Sequence, residues 1–183
     1  MFDACGRIRN LNLSGADRDA IVAFLGAFTD PRVVAGLSPF DRPTLYSETN
    51  QGAQHYGHGT AGSGNITPLL VAIEPPHLGH ATFALGLDRS LGGAPALLIL
   101  DGTANLAGQR LFGADVFVSL SAAAILLPVT TAGSGAGNGT ASQVLPIPDV
   151  AALRRVQLYA QWFVVDQGVG GLAATDAVRL PIL

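Results

Sequence analysis

Apolar positions in the C-terminal two-thirds of the chain recur mainly at every second residue, most clearly over residues 156–166, VQLYAQWFVVD. Val156, Leu158, Ala160, Trp162 and Val164 fall on one face at period two, and Gln157, Tyr159, Gln161, Phe163 and Val165 fall on the other. The pattern predicts a central strand with one face in a core and a second, amide- and ring-bearing face only partly covered. Leu158, Gln161, Trp162 and Val165 also share helical spacing, but the β-branched and aromatic content favours the strand. Further strands are predicted over residues 68–74, 82–88, 96–100, 116–120, 125–130, 143–146 and 177–182, with Phe83, Leu85 and Leu87 buried on one face of the second. Gly- and Pro-bearing turns separate them, including the run over residues 132–139, and residues 150–155 are predicted as one helical turn capped by Asp149.

Near the N-terminus the period changes. Ser14 and Asp17 have capping-box spacing, and Ile21, Val22, Phe24, Leu25 and Phe28 follow as a helical stripe that Asp30-Pro31 ends. One amphipathic helix over residues 15–29 is predicted, and its apolar stripe needs a surface to dock on. The second face of residues 156–166 offers such a surface. Residues 46–65 are rich in Gly and poor in bulky aliphatics, which predicts a linker. The expected organisation is a helical appendage (1–45), a linker (46–65) and a β module (66–183). The fold class is mainly β: an antiparallel β-sandwich with one N-terminal amphipathic α-helix.

Composition narrows the function classes. Of 183 residues, 49% are hydrophobic and 13% charged, and the net charge is -3, so a core is affordable while the surface carries few ions. The basic residues are all Arg and are scattered, which argues against nucleic acid. Cys5 is the one cysteine, excluding an intrachain disulfide, a zinc ribbon and a haem-attachment CxxCH. No stretch reads as a signal peptide or as a transmembrane segment.

Two resemblances carry further expectations. Residues 8–43, with Leu11-Asn12-Leu13-Ser14 leading into the helix and a Thr-Asp-Pro-Arg-Val turn and Pro-Phe-Asp-Arg-Pro tail after it, resemble the C-terminal segment of bacterial di-haem cytochrome c peroxidases of the MauG-like group. The haem motifs, axial ligands and calcium region of such enzymes would lie upstream, so the resemblance implies haem only in an upstream domain and no cofactor here. Residues 56–183 resemble a C-terminal module of secreted planctomycete and myxobacterial proteins. The matching positions include Pro76-His77-Leu78-Gly79, Leu145-Pro146-Ile147-Pro148, Leu158-Tyr159-Ala160-Gln161-Trp162 and residues 174–180. In that family a Gly-Cys-Pro-Gly start pairs with a later Gly-Cys. Thr60 and the Ala114-Asp115 region stand in those places here. The resemblances imply an extracellular, periplasmic or cell-surface location.

Candidate chemistry is sparse. The four histidines form two HxxH pairs, His55/His58 and His77/His80, which could supply a tetrahedral imidazole metal site, although solvated turn histidines explain them equally simply. Ser63 and Ser134 lack a nucleophile elbow, and the Gly133–Gly139 run lacks the Lys and helix of a phosphate loop. Tyr159, Gln161 and Phe163 could form a ligand platform, with rings stacking on sugars. The expected function is a non-catalytic attachment or assembly module from the C-terminal end of an exported di-haem-peroxidase-like protein, acting through a protein partner or self-association. The alternatives are a small-ligand or carbohydrate-binding β-sandwich and a His-dependent metal-binding protein.

Overall fold

The computed structural model describes residues 13–27, 35 and 52–183. Two compact units divide the chain, Met1–Thr44 and Leu45–Leu183. In the first, helix α1 spans Gly15–Ala27. Its start is the predicted capping box: the Asp17 N–H donates to Ser14 Oγ at 3.2 Å, and the Ser14 N–H and Oγ donate to Asp17 Oδ2 at 3.0 and 2.6 Å. These bonds hold the Asp17 carboxyl below its usual range. The Asp30-Pro31 stop and about half of the 8–43 stretch, including the tail after the helix, lie outside the described residues.

The second unit is built from ten antiparallel strands. They are β1 (Gln54–Tyr56), β2 (Leu69–Val71), β3 (Ala84–Gly92), β4 (Pro95–Asp101), β5 (Ala104–Leu111), β6 (Ala114–Val118), β7 (Ile125–Thr130), β8 (Gly135–Val144), β9 (Gln157–Asp166) and β10 (Gly171–Pro181). A five-stranded sheet runs β1-β10-β9-β4-β7, a three-stranded sheet runs β2-β3-β8, and β5 and β6 form a hairpin of their own. The mainly β, sandwich-like architecture is as the sequence predicts, with β9 in the middle of the large sheet.

The alternation in β9 places the core. Ala160, Trp162 and Val164 face inward with Leu98, Leu100, Val178 and Leu180 of neighbouring strands, against Leu85 and Leu87 of β3 and Phe83 just before it. Trp162 is fully buried. On the opposite face of the same sheet, Ile99, Phe163 and Ala174 pack against Ala114, Val116 and Val118 of β6. That second face is thus covered in part by a hairpin from its own unit.

Three expectations change on this architecture. Residues 46–65 were read as a linker, yet β1 pairs with β10, Thr60 bridges Ala174, and Ser63–Asn65 forms a 3-10 turn, so this stretch belongs to the β unit. Gly57 has φ 71° and lies against the Phe117 ring, where an added Cβ would come within 2.6 Å, so a glycine that looked like linker composition is a packing requirement. The run over residues 132–139 was read as a turn, yet β8 begins at Gly135 and pairs with β3. A Cβ on Gly139 would come within 2.4 Å of the Leu91 carbonyl, so close approach of two strands accounts for the glycine. The short turn at Ala151–Leu153 has Val150 at its N-cap with no side-chain cap, so Asp149 does not cap it.

Irregular pairing matters where β9 meets β10. The register moves from Ala174↔Phe163 to Ala177↔Gln161, placing one extra residue in β10. The Thr175 hydroxyl then accepts from the Trp162 N–H at 3.2 Å and donates to the Asp176 carbonyl at 2.6 Å.

At the far edge, Pro128 of β7 pairs with Leu97. A proline can occupy that register only at a non-hydrogen-bonded position, so the missing N–H faces the open edge. Pro128 thereby interrupts the edge against strand addition.

Candidate binding sites

The bulge in β10 and the amide of β9 form one hydrogen-bonded unit. Gln161 is fully buried. Its Oε1 accepts from the Phe117 N–H at 2.8 Å, and its Nε2 donates to the Asp115 carbonyl at 2.9 Å and to the Thr175 carbonyl at 2.8 Å. The amide therefore ties β9 to β6 and to the bulge, with its hydrogen-bonding capacity used inside the protein. Phe163 is buried beneath the same hairpin. Tyr159 is half-buried, donates to Gln157 Oε1 at 2.9 Å and meets Tyr56 edge to face at 6.0 Å. The three residues expected to form a ligand platform share one face, but two of them are internal and do not present rings or amide to a ligand. Tyr56 donates to the Phe117 carbonyl at 3.1 Å, and burial pushes its phenol upward.

The histidines are each occupied separately. His55 Nδ1 lies 2.9 Å from Asp176 Oδ2, and His58 Nε2 lies 3.4 Å from Asp115 Oδ2 with its ring edge-on to Phe117. The hydrogen bond that His55 donates to Asp176 raises the His55 pKa, against partial burial, which lowers it. His77 and His80 stack with ring centroids 4.3 Å apart, and His80 spans Glu74 Oε2 and the Pro75 carbonyl. No group of three or more His, Cys, Asp or Glu that could hold a metal is present among the described residues, so His55, His58, His77 and His80 do not converge as the metal reading requires.

Thr60 and Asp115 are brought together. The Asp115 N–H donates to Thr60 Oγ1 at 2.9 Å, and Thr60 Oγ1 donates to Asp115 Oδ2 at 3.2 Å.

Two buried carboxylates act as loop clamps. Burial alone would raise Asp166, but hydrogen bonds from the Ser63 hydroxyl and N–H at 2.5 and 2.6 Å and from the Gly168 N–H at 3.0 Å hold it below its usual range. Asp101 is likewise lowered, against burial, by Ser121 and Thr103, which donate at 2.9 and 3.2 Å. Ser63 is therefore a donor to a structural carboxylate.

The sequence did not reveal two apolar concavities among the described residues. One, of about 360 Å³, opens between the two sheets where β7 and β8 diverge, with Phe83, Leu100 and Leu180 at its base and Ile125, Leu127 and Leu145 on its walls. The other, also about 360 Å³, lies on the outer face of the large sheet beside the hairpin, between Leu97, Ile99, Phe163, Val165, Leu111 and Phe112. Each depends on how strands from distant parts of the chain diverge, and periodicity within one strand carries no such information. Among the described residues no helix is long and apolar enough to cross a membrane. Compared with known proteins, the chain matches no family model, no curated protein and no solved structure.

Proposed function

We propose that this chain is a non-catalytic β-sandwich module for attachment or assembly, acting through contact between copies of itself. The observation that carries the reading is the apolar outer face of the large sheet. Around its cleft, Phe112 is 82% exposed, Leu120 47% and Val165 40%, and Leu126, paired with Ile99 on the same sheet, is 56% exposed, an accumulation of large side chains that a solitary domain gains nothing by exposing. Pro128 interrupts the adjacent edge, so the surface favours side-chain packing over open-ended strand pairing. The serines and carboxylates described above support the non-catalytic part, because they are committed to clamps within the fold.

Sedimentation of the purified chain over a rising concentration series tests the reading. Wild type is expected to dimerise or assemble further, and the double variant Phe112→Asp/Leu126→Asp to remain monomeric with an unchanged melting temperature. A wild-type chain that stays monomeric up to its solubility limit would sink the proposal. The attachment to an exported di-haem-peroxidase-like protein rests on residues 8–43 and is tested separately: reading the frame upstream of Met1 should reveal CxxCH motifs.

A further inference from the structure

The β5–β6 hairpin carries an aromatic ring at the position where a tight turn suits one least. Leu111 pairs with Ala114, so Phe112 and Gly113 are the central residues of a two-residue turn, and both stand at positive φ, 49° and 86°. Turns of this kind favour Asn-Gly, because a bulky side chain is strained in the left-handed region. The tip is also held in place, since the Phe112 carbonyl accepts from the Leu172 N–H of β10 at 3.1 Å. A strained aromatic residue that is 82% exposed contributes little packing to its own chain. The ring is set to pack against something outside it.

A receiving surface lies beside it. Phe112 stands at the rim of the outer cleft, whose lining, with Leu97, Ile99, Phe163, Val165 and Leu172, includes no polar or charged side chain. A cavity of about 150 Å³ holds a benzene ring. The outer cleft, at about 360 Å³, has room for a benzyl group. Arg110 and Asp115 of the hairpin pair with each other at 3.4 Å, so two copies can bring these patches together without opposing like charges.

A projecting ring and an apolar cleft on one patch make the surface self-complementary, which is the property a two-fold contact requires. On the reading that copies of this chain meet through this face, we infer that they meet as a two-fold dimer in which the Phe112 ring of each enters the outer cleft of the other. Aromatic side chains seated in apolar pockets are the usual anchors of such contacts. Each copy's ring and cleft are both used within the pair, so assembly closes at two.

Sedimentation of the full chain and of three variants, alone and mixed, tests the inference. Phe112→Asn restores the favoured Asn-Gly turn, so its dimerisation should weaken by at least about thirty-fold, the equivalent of ~2 kcal/mol. Its melting temperature, taken at a concentration where wild type is monomeric, should equal or exceed that of wild type. Val165→Trp and Leu120→Trp, each at a partly exposed wall, should fill the cleft and weaken dimerisation without lowering the melting temperature. Mixing Phe112→Asn with either of them should give a mixed dimer that neither forms alone, because the ring of one meets the open cleft of the other. The inference is overturned, and the assembly reading left standing, if wild type associates but Phe112→Asn or both cleft-filling variants associate as well as it does. Absence of the mixed dimer, growth of wild type beyond the dimer, or a lowered melting temperature for Phe112→Asn would overturn it in the same way. A wild type that stays monomeric overturns both, and leaves the cleft to a small apolar ligand or a different protein.

Discussion

The two faces of the five-stranded sheet are held by different physics, although alternate residues of the same strand supply both. On the inner face, Ala160, Trp162 and Val164 meet the aliphatic side chains of β3 and β4, and stability there comes from apolar area removed from water. On the outer face the cover is a two-stranded hairpin, a unit of marginal stability alone. Its attachment combines a small apolar cluster with two hydrogen bonds of Gln161 to β6. Area tolerates small displacements, whereas a buried amide does not, so the outer layer is the more exactingly positioned and the less deeply anchored of the two.

The largest expected effect is on the inner face. Trp162→Ala should cost about 3–5 kcal/mol in denaturant unfolding. The indole Nε1 has no hydrogen-bond partner, so the loss is one of packing, and Trp162→Phe should recover much of it. If Trp162→Ala cost no more than an outer-face change, the contrast between the faces would fail.

The second prediction concerns the strap that runs from β1 over the edge of the outer layer. Thr60 bridges Ala174 of β10 and, through its hydroxyl, Asp115 of β6. Replacing both with cysteine, Thr60→Cys/Asp115→Cys, should form a disulfide under oxidising conditions and add about 2–4 kcal/mol over the reduced form. Failure of the two thiols to join would show that the outer layer is seated differently.

Gln161 comes third. Gln161→Met keeps the volume but leaves the Phe117 N–H without its acceptor, and should cost about 1–3 kcal/mol. Hydrogen exchange is the sharper readout: amides of β5 and β6 should lose protection while those of β3 and β4 keep theirs. Uniform loss across both layers would mean that the hairpin unfolds only with the whole.

This contrast also explains what could be read in advance. The inner face was legible because alternation is a local property: Phe83, Leu85 and Leu87, and the even positions of β9, point to one core in any register. The helix start was legible because Ser14 and Asp17 cap it within one turn. Where β8 would form was hidden, because the glycines of 133–139 read as turn residues until the approach of Leu91 is known. The role of Gln161 was half visible. An amide among aromatic rings signals a polar requirement, but its partners lie 44, 46 and 14 residues away, and only the bulge and the hairpin bring them to it. The clefts were invisible for the same reason.

The smallest predicted effect concerns the β1 edge of the large sheet and is read through pH. The bulge that presents the Thr175 carbonyl to Gln161 also turns Asp176 towards His55 of β1, at 2.9 Å. Asp176 raises the His55 pKa, so this contact is at full strength below the unfolded value near 6.5 and weakens as pH climbs through the folded value. The His55 side chain is 42% exposed, so solvent screening limits the change to less than about 1 kcal/mol. As pH rises from about 6.5 through the raised folded value, wild type should lose that fraction of its stability and His55→Gln should not. Hydrogen exchange at β1 should follow the same titration, while Trp162 fluorescence, which reports the inner face, should stay constant across it. Movement of both signals together would mean that the bulge couples the two faces and that they are not independently held.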